Sequence, residues 1–171
     1  SGPNVPSARF ISLMGSLTAN SSCNPFEVVQ ALAHATGGEG YFLPVPFIAD
    51  SPEDRNILIT QRAVARPMNL AKTADLALIS VGELTESSLL RQQDMSSRKD
   101  LDELREAGAV GDTNGLFFNR EGHIVDHTLT QLTIGIGIAD LAKMRTVLLA
   151  GGLHKVAATE AILRGRFVRG L

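Results

Sequence analysis

Lys155 stands just beyond Gly151-Gly152, where a short apolar run gives way to a helical pattern. Thr146 to Ala150 has the pattern of a strand buried on both faces. Gly151-Gly152 makes a sharp turn, and the residues after it, to about Leu163, read as a helix. A parallel strand, a glycine turn and a helix leave backbone N–H groups free at the carboxyl end of a sheet. That is where α/β folds bind phosphate and other anions. Lys155 adds a cation in the first turn of that helix, where the helix dipole favours acids. A cation held in such a place points to an anionic ligand.

Two other strand ends share the design: Met14-Gly15-Ser16 and Val81-Gly82-Glu83. In an open parallel sheet these ends line a common crevice. Glycine lets a ligand approach the backbone, or it simply permits a tight turn; both readings stand at this point. Gly108-Ala-Val-Gly-Asp-Thr-Asn-Gly115 reads as a glycine-rich loop. Asp112 there accepts from sugar hydroxyls or fixes a turn, and Thr113 and Asn114 both donate and accept. Asn20, Asn24, Arg91-Gln92-Gln93 and His154 are weaker ligand candidates, and Asn24 is also a helix cap. His34, His123, His127 and His154 show no metal-ligand spacing, and no Walker loop, nucleophile elbow or GxGxxG is present. No metal or cofactor is expected.

These groups need elements to hold them. Arg9 to Met14 reads as a strand. Asn24-Pro25 begins a helix to Thr36, closed by Gly37-Gly38, with Glu27 completing a capping box. Tyr41 to Val45 is a short strand interrupted by prolines. Ser51-Pro52 begins a helix to about Arg62, and a second covers Ala65–Thr73. Asp75 to Val81 is an apolar strand. Ser87–Gln92 and Ser97–Ala107 are helical. Leu116–Asn119 and His123–Asp126 flank a hairpin signal at Arg120-Glu121-Gly122. Thr133–Ile138 is one more short strand, Ile138–Met144 a helical turn, and Phe167-Val168 opens another strand. The alternation predicts an α/β fold: an open, mostly parallel sheet flanked by helices, Rossmann-like.

Composition excludes several classes. The 171 residues suffice for one domain with a substantial core. The net charge of −2 argues against a grip on nucleic acid by this segment itself. No Trp and one Tyr exclude an aromatic platform for single strands. No apolar run approaches the roughly 20 residues of a membrane span, so no membrane partner is expected. Cys23 is the single cysteine, which fits a reducing, cytoplasmic location.

With those residues in view, the chain resembles the effector-binding domain of the SorC family of bacterial transcriptional regulators. The matching blocks are Leu13-Met-Gly-Ser16, Asn24-Pro-Phe-Glu-Val28, Tyr41-Phe-Leu-Pro-Val-Pro46, Asp75–Gly82, Leu104–Asp112, Phe117-Phe118 with Gly122, and Ala150–Leu163. They follow the family's order over nearly the whole chain. The resemblance implies a fold similar to glucosamine-phosphate deaminase and ribose-phosphate isomerase. It also implies a phosphorylated sugar as effector and self-association as a dimer or tetramer. DNA would be reached only through a helix-turn-helix that this sequence does not contain. By the same resemblance, Lys155 and Gly151-Gly152 contact the phosphate, Asp112 with Thr113 holds sugar hydroxyls, and Gly15, Ser16, Gly82 and Glu83 line the pocket. Residues 1–7 then form a flexible leader, and 8–171 part of an effector domain. The family's opening strand and its Gly-Ser/Thr-rich loop have no counterpart in the sequence. Two other functions stay open: an active sugar-phosphate isomerase or deaminase, and an assembly domain with a vestigial site.

Overall fold

Side-chain caps start the helices at Pro25, Pro52, Arg98 and Thr128, within two compact units: Ser1–Thr73 with Ile134–Ile136, and Ala74–Thr133 with Gly137–Leu171. A computed structural model describes residues 4–17, 24–166 and 168. Asn20, Cys23 and Phe167, and the first part of the expected leader, lie outside the described residues.

In the first unit, β1 (Arg9–Ile11) runs parallel to β2 (Glu39–Tyr41), with Arg9 opposite Glu39 and Ile11 opposite Tyr41. β2 falls earlier than the expected Tyr41–Val45, because Pro44 and Pro46 carry no N–H to continue a ladder. Between them, α1 (Pro25–Thr36) starts at Asn24, whose side chain accepts from the Phe26 N–H, and ends at Gly37 with φ 70°. Only glycine adopts that left-handed turn without strain. Ser51 caps α2 (Pro52–Thr60) by accepting from the Asp54 N–H at 3.0 Å. α3 (Arg62–Ala71) begins earlier than the expected Ala65, since the break lies at the extended Gln61 and Pro67 sits inside the helix. Leu43, Val45, Ala49, Val64 and Ile134 form the core, with Leu58, Ile59 and Met68 packed on it. The expected strand at Thr133–Ile138 contributes a single antiparallel bridge, Met14 to Gly135, rather than a ladder.

In the second unit, β3 (Leu76–Ser80) pairs in parallel with β7 (Arg145–Leu149), from Leu76 opposite Arg145 to Ser80 opposite Leu149. Ala77, Ile79, Thr146 and Leu148 are buried on one face. The expectation that the final strand is buried on both faces does not hold, because Leu78 is 51% and Leu149 57% exposed. The described residues cover only one side of this apolar pair.

A second sheet, antiparallel, joins β4 (Gly82–Glu83), β5 (Ala109–Thr113) and β6 (Leu116–Asn119) in that order. β5 corrects the reading of Gly108–Gly115 as a loop. Asn114 and Gly115 both have positive φ, 55° and 75°, the requirement of the tight turn that joins two antiparallel strands. The expected hairpin around Arg120 shrinks to one bridge, Phe118 to Ile124. Helices α4 (Leu89–Gln92) and α5 (Arg98–Glu106) precede β5, and α6 (Thr128–Leu132) and α7 (Ile138–Leu141) precede β7. Ser97 and Asp100 close a full capping box on α5. After β7 comes one turn of 3-10 helix, Leu153–Lys155, and then α8 (Val156–Arg164). The protein is thus a mixed α/β fold with parallel strand pairs and flanking helices.

Candidate functional site

The carboxyl end of β3 meets the antiparallel sheet within the second unit. Val81 follows β3, and the chain continues directly into β4. There Gly82 pairs with Asp112 and Glu83 with Gly111. Gly82 is needed as glycine because the Asp112 carboxylate lies against it; a Cβ would collide with Asp112 Oδ1. On the next residue the same logic admits α8. A Cβ on Gly111 would stand 2.5 Å from the Ala158 Cβ, so glycine lets the helix approach the strand.

Asp112 holds the centre. The residue keeps some accessible surface, while its carboxyl sits among dense neighbours. Desolvation pushes its pKa up from 3.8 to about 6, and the Glu83 charge adds to the rise. A hydrogen bond from the Gly115 backbone N–H and the Lys155 charge pull the other way. The ammonium of Lys155 donates to the Val81 carbonyl at 2.8 Å. The site therefore joins a carboxyl pair, one ammonium and glycine-lined backbone.

The glycine turn differs from expectation in one respect. Lys155 ends the 3-10 turn and occupies the cap position of α8, instead of lying in the helix's first turn. Gly152, with φ 98°, forces the tighter winding, and the His154 ring folds back over it. His154 is exposed. Gly151 has no atom within 4 Å of where a Cβ would stand. Thr113, only 2% exposed, donates its hydroxyl to the Ser80 carbonyl at 2.8 Å, tying β5 to the end of β3. Arg105, which no sequence motif singles out, donates from Nε and Nη2 to the Leu84 carbonyl at 3.1 and 2.7 Å. It anchors the chain immediately after β4. No local pattern announces that bond, which spans 21 residues.

Gly82, Glu83, Asp112, Thr113, Gly151, Gly152 and Lys155 thus share one unit. Gly15 and Ser16 belong to the other. Gly15 is packed against the Val45 and Pro46 backbone, its N–H donating to the Ile134 carbonyl at 3.0 Å. The Ser16 hydroxyl accepts from Asn24 Nδ2 at 2.6 Å. Arg91 is engaged by Glu86 at 3.2 Å and by the Ser96 carbonyl.

Folding also assembles a group that sequence spacing hides. Ligand atoms of Asp100, Glu103 and His127 lie within 4.8 Å of one another. His127 Nδ1 accepts from the Leu129 N–H at 3.2 Å, which leaves the proton of a neutral ring on Nε2, 3.4 Å from Glu103. A metal at Nε2 would need the opposite tautomer and the loss of that helix cap. The arrangement serves as a helix cap and a hydrogen bond from His127 to Glu103.

A carboxyl, an ammonium and glycine backbone thus come together beyond a strand end of an α/β unit, the place where α/β folds as a class take small-molecule ligands. The comparisons give the class a family. All residues, 1–171, match the family described as "Putative sugar-binding domain", and the chain belongs to it. The erythritol catabolism regulatory protein EryD of Brucella abortus is 36% identical over 163 residues, covering 95% of this chain and 52% of EryD. The deoxyribonucleoside regulator of Bacillus subtilis is 28% identical, with 95% and 52% covered. The chain spans about half the length of these curated relatives. Among solved structures, a DeoR family transcriptional regulator from Listeria monocytogenes superposes with a TM-score of 0.89 at 23% identity, covering 98% of this chain and 67% of that one. The full-length sorbitol operon regulator SorC from Klebsiella pneumoniae gives 0.88 at 19% identity, covering 98% and 56%. These two similarities speak for the fold.

Proposed function

We propose that the chain is the effector-sensing part of a bacterial transcriptional regulator, and that it binds a sugar, a sugar alcohol or a phosphate ester of either without turning it over. The observation that carries this is the Asp112 carboxyl, enclosed between Gly82 and the Gly115 N–H and faced by Lys155. A carboxylate so placed takes hydroxyl donors, and Lys155 with the Gly151-Gly152 backbone takes an anionic group. The names of EryD and of the deoxyribonucleoside regulator favour a small polyol or pentose derivative. Operator binding belongs to another part of the regulator, and the ligand acts by changing how copies of the chain assemble. A cytoplasmic location follows from that role. No helix of the described residues is long and apolar enough to cross a membrane.

Isomerase or deaminase chemistry needs an acid and a base poised at adjacent sugar carbons. Asp112 is suited to be one of them, but His154, the other candidate, is exposed and lies over Gly152. The test is thermal unfolding against matched pairs: erythritol and erythritol 4-phosphate, deoxyribose and deoxyribose 5-phosphate. A midpoint that rises with one of them supports the sensor. Conversion of any of them by the purified chain overturns the non-catalytic reading.

A further inference from the structure

Glu83, Asp112 and Lys155 come from three separate elements, β4, β5 and the 3-10 turn, and the charges of Glu83 and Lys155 both act on Asp112. Two carboxyls there face one ammonium, and that ammonium is hydrogen-bonded to the Val81 carbonyl. Among the described residues, Glu83 and Lys155 are the charges that act on Asp112. The turn to β6 offers the Gly115 N–H, β6 places Phe117 opposite, and α8 presents Ala158 to the neighbouring Gly111. Gly82 closes the remaining side with backbone alone.

Resting on the reading of this pocket as a polyol or sugar site, we infer that ligand binding is proton-linked: Glu83, Asp112 and Lys155 form a charge cluster that must release a proton from Asp112 before the carboxylate can accept the ligand's hydroxyls. The reasoning is one of donor inventory. An ionised carboxylate only accepts, which suits a polyol whose hydroxyls donate. A protonated carboxyl spends one oxygen as a donor and loses that match. In the free chain the dry surroundings, with the like charge of Glu83 added, hold the proton on until mildly acid pH, about 6. Hydroxyl donors arriving from the ligand favour the ionised form, so they drive the proton off. An anionic group of the ligand that draws Lys155 from Val81 works against this release, because the Lys155 charge that favours the Asp112 carboxylate is then shared.

The consequence is an effector response tuned by pH. Below the midpoint, affinity for a neutral polyol falls by up to tenfold for each pH unit; well above it, affinity is flat. Calorimetric titration of erythritol and a panel of other neutral polyols and free sugars into the chain, at pH 5 to 8, measures this directly. Pairs of buffers with different ionisation heats count the protons released. Carbon NMR of labelled aspartate follows Asp112 in the same samples. The expected result is a proton release approaching one at pH 5 and near zero at pH 8. It is accompanied by an Asp112 midpoint near 6 that moves down on binding.

A ligand that binds with a flat pH profile, or more tightly in acid, overturns the inference and leaves the sugar-site reading standing. Where only phosphate esters bind, the ester's own ionisation, near pH 6, is common to the wild type and Asp112→Asn. The difference between their profiles is then the readout, and no difference overturns the inference. If neither neutral nor phosphorylated ligands bind, the sugar-site reading falls, and this inference falls with it.

Discussion

The Lys155 ammonium donates to the Val81 carbonyl at 2.8 Å, bridging 74 residues of sequence. The bond joins the exit of β3 to the start of α8 and holds a cation at the rim of the pocket. A single neutral acceptor does not satisfy an ammonium with three donors. The Lys155 charge also acts on the Asp112 carboxyl, so the ammonium stands where an anionic group would meet it.

Replacing Lys155 with Met removes that group while keeping most of the apolar stem. One partly buried hydrogen bond is lost, costing the free chain about 1 kcal/mol by urea unfolding. A charge-assisted contact to a phosphate is worth about 1.5–3 kcal/mol. Phosphate esters should therefore bind roughly 10- to 150-fold more weakly, while the matching free polyol changes little. Equal losses for ester and polyol would mean that Lys155 shapes the pocket instead of reading the anion.

Asp112→Asn separates stability from function. The native state holds the Asp112 proton up to about pH 6, whereas an unfolded aspartate releases it near 3.8. Stability linked to this group is therefore full below the unfolded value and is lost as pH rises through about 6. At pH 8 the wild type carries a burial cost of at most about 3 kcal/mol, less whatever its accessible rim recovers. Asparagine keeps the shape and carries no charge. Urea unfolding should show Asp112→Asn more stable than wild type at pH 8, with the gap closing toward pH 4. The same variant should lose polyol binding. A gap independent of pH would assign the gain to packing.

Gly82→Ala and Gly111→Ala test the close approaches on either side of Asp112. The first puts a methyl into the Asp112 carboxylate, the second into Ala158 and the Gly82 carbonyl. The Asp112 carboxylate can yield only by giving up its bond from the Gly115 N–H, and the Ala158 methyl and Gly82 carbonyl are fixed to their backbones. Overpacking of this kind costs about 1–3 kcal/mol, and both variants should unfold earlier in urea. Gly82→Ala should also weaken binding, because it displaces the carboxylate. Wild-type stability in both would show that β4 and β5 are less tightly paired than their register implies.

How much of this was legible in the sequence depends on range. Helix starts at Pro25, Pro52 and Arg98 follow from caps within three residues of each boundary. Gly82, Gly151 and Lys155 stood out because glycine and charge at a strand end are local signals too. β5 was hidden by its own glycines. Gly111 looks like a loop residue until α8 is seen to need the space. Asn114-Gly115 carries the hairpin-turn signal itself, and its two positive φ angles close β5 onto β6. The Arg105 anchor and the contact between His127 and Glu103 depend on partners that only tertiary folding supplies.

Arg105→Ala removes two donors from the Leu84 carbonyl on a side chain 45% exposed. Solvent replaces much of that bond, so global stability should fall by about 1 kcal/mol or less. Amide hydrogen exchange gives the sharper readout. Protection should drop at Glu83 and Gly111, whose pairing the anchor supports, and polyol affinity should fall several-fold. Arg105→Lys restores one donor and should recover part of both. Unchanged exchange would mean that the β4–β5 pairing holds without the anchor.

Gly151 and Gly152 make the clearest contrast. Gly152 has φ 98°, where a side chain is strained whatever the space around it, so Gly152→Ala should destabilise the chain by about 1–2 kcal/mol. Gly151 has neither constraint: its φ lies outside the left-handed range, and nothing stands within 4 Å of the place an alanine methyl would take. Alanine there should leave stability unchanged or raise it by about 0.4–1 kcal/mol, since the unfolded chain loses freedom. If Gly151 is glycine so that a ligand can approach its backbone, the same methyl occupies the ligand's place. Urea unfolding and calorimetric titration of Gly151→Ala should then disagree, with stability kept and affinity lowered at least tenfold. Retained affinity would place the ligand away from this turn and leave Asp112 as the remaining anchor of the site.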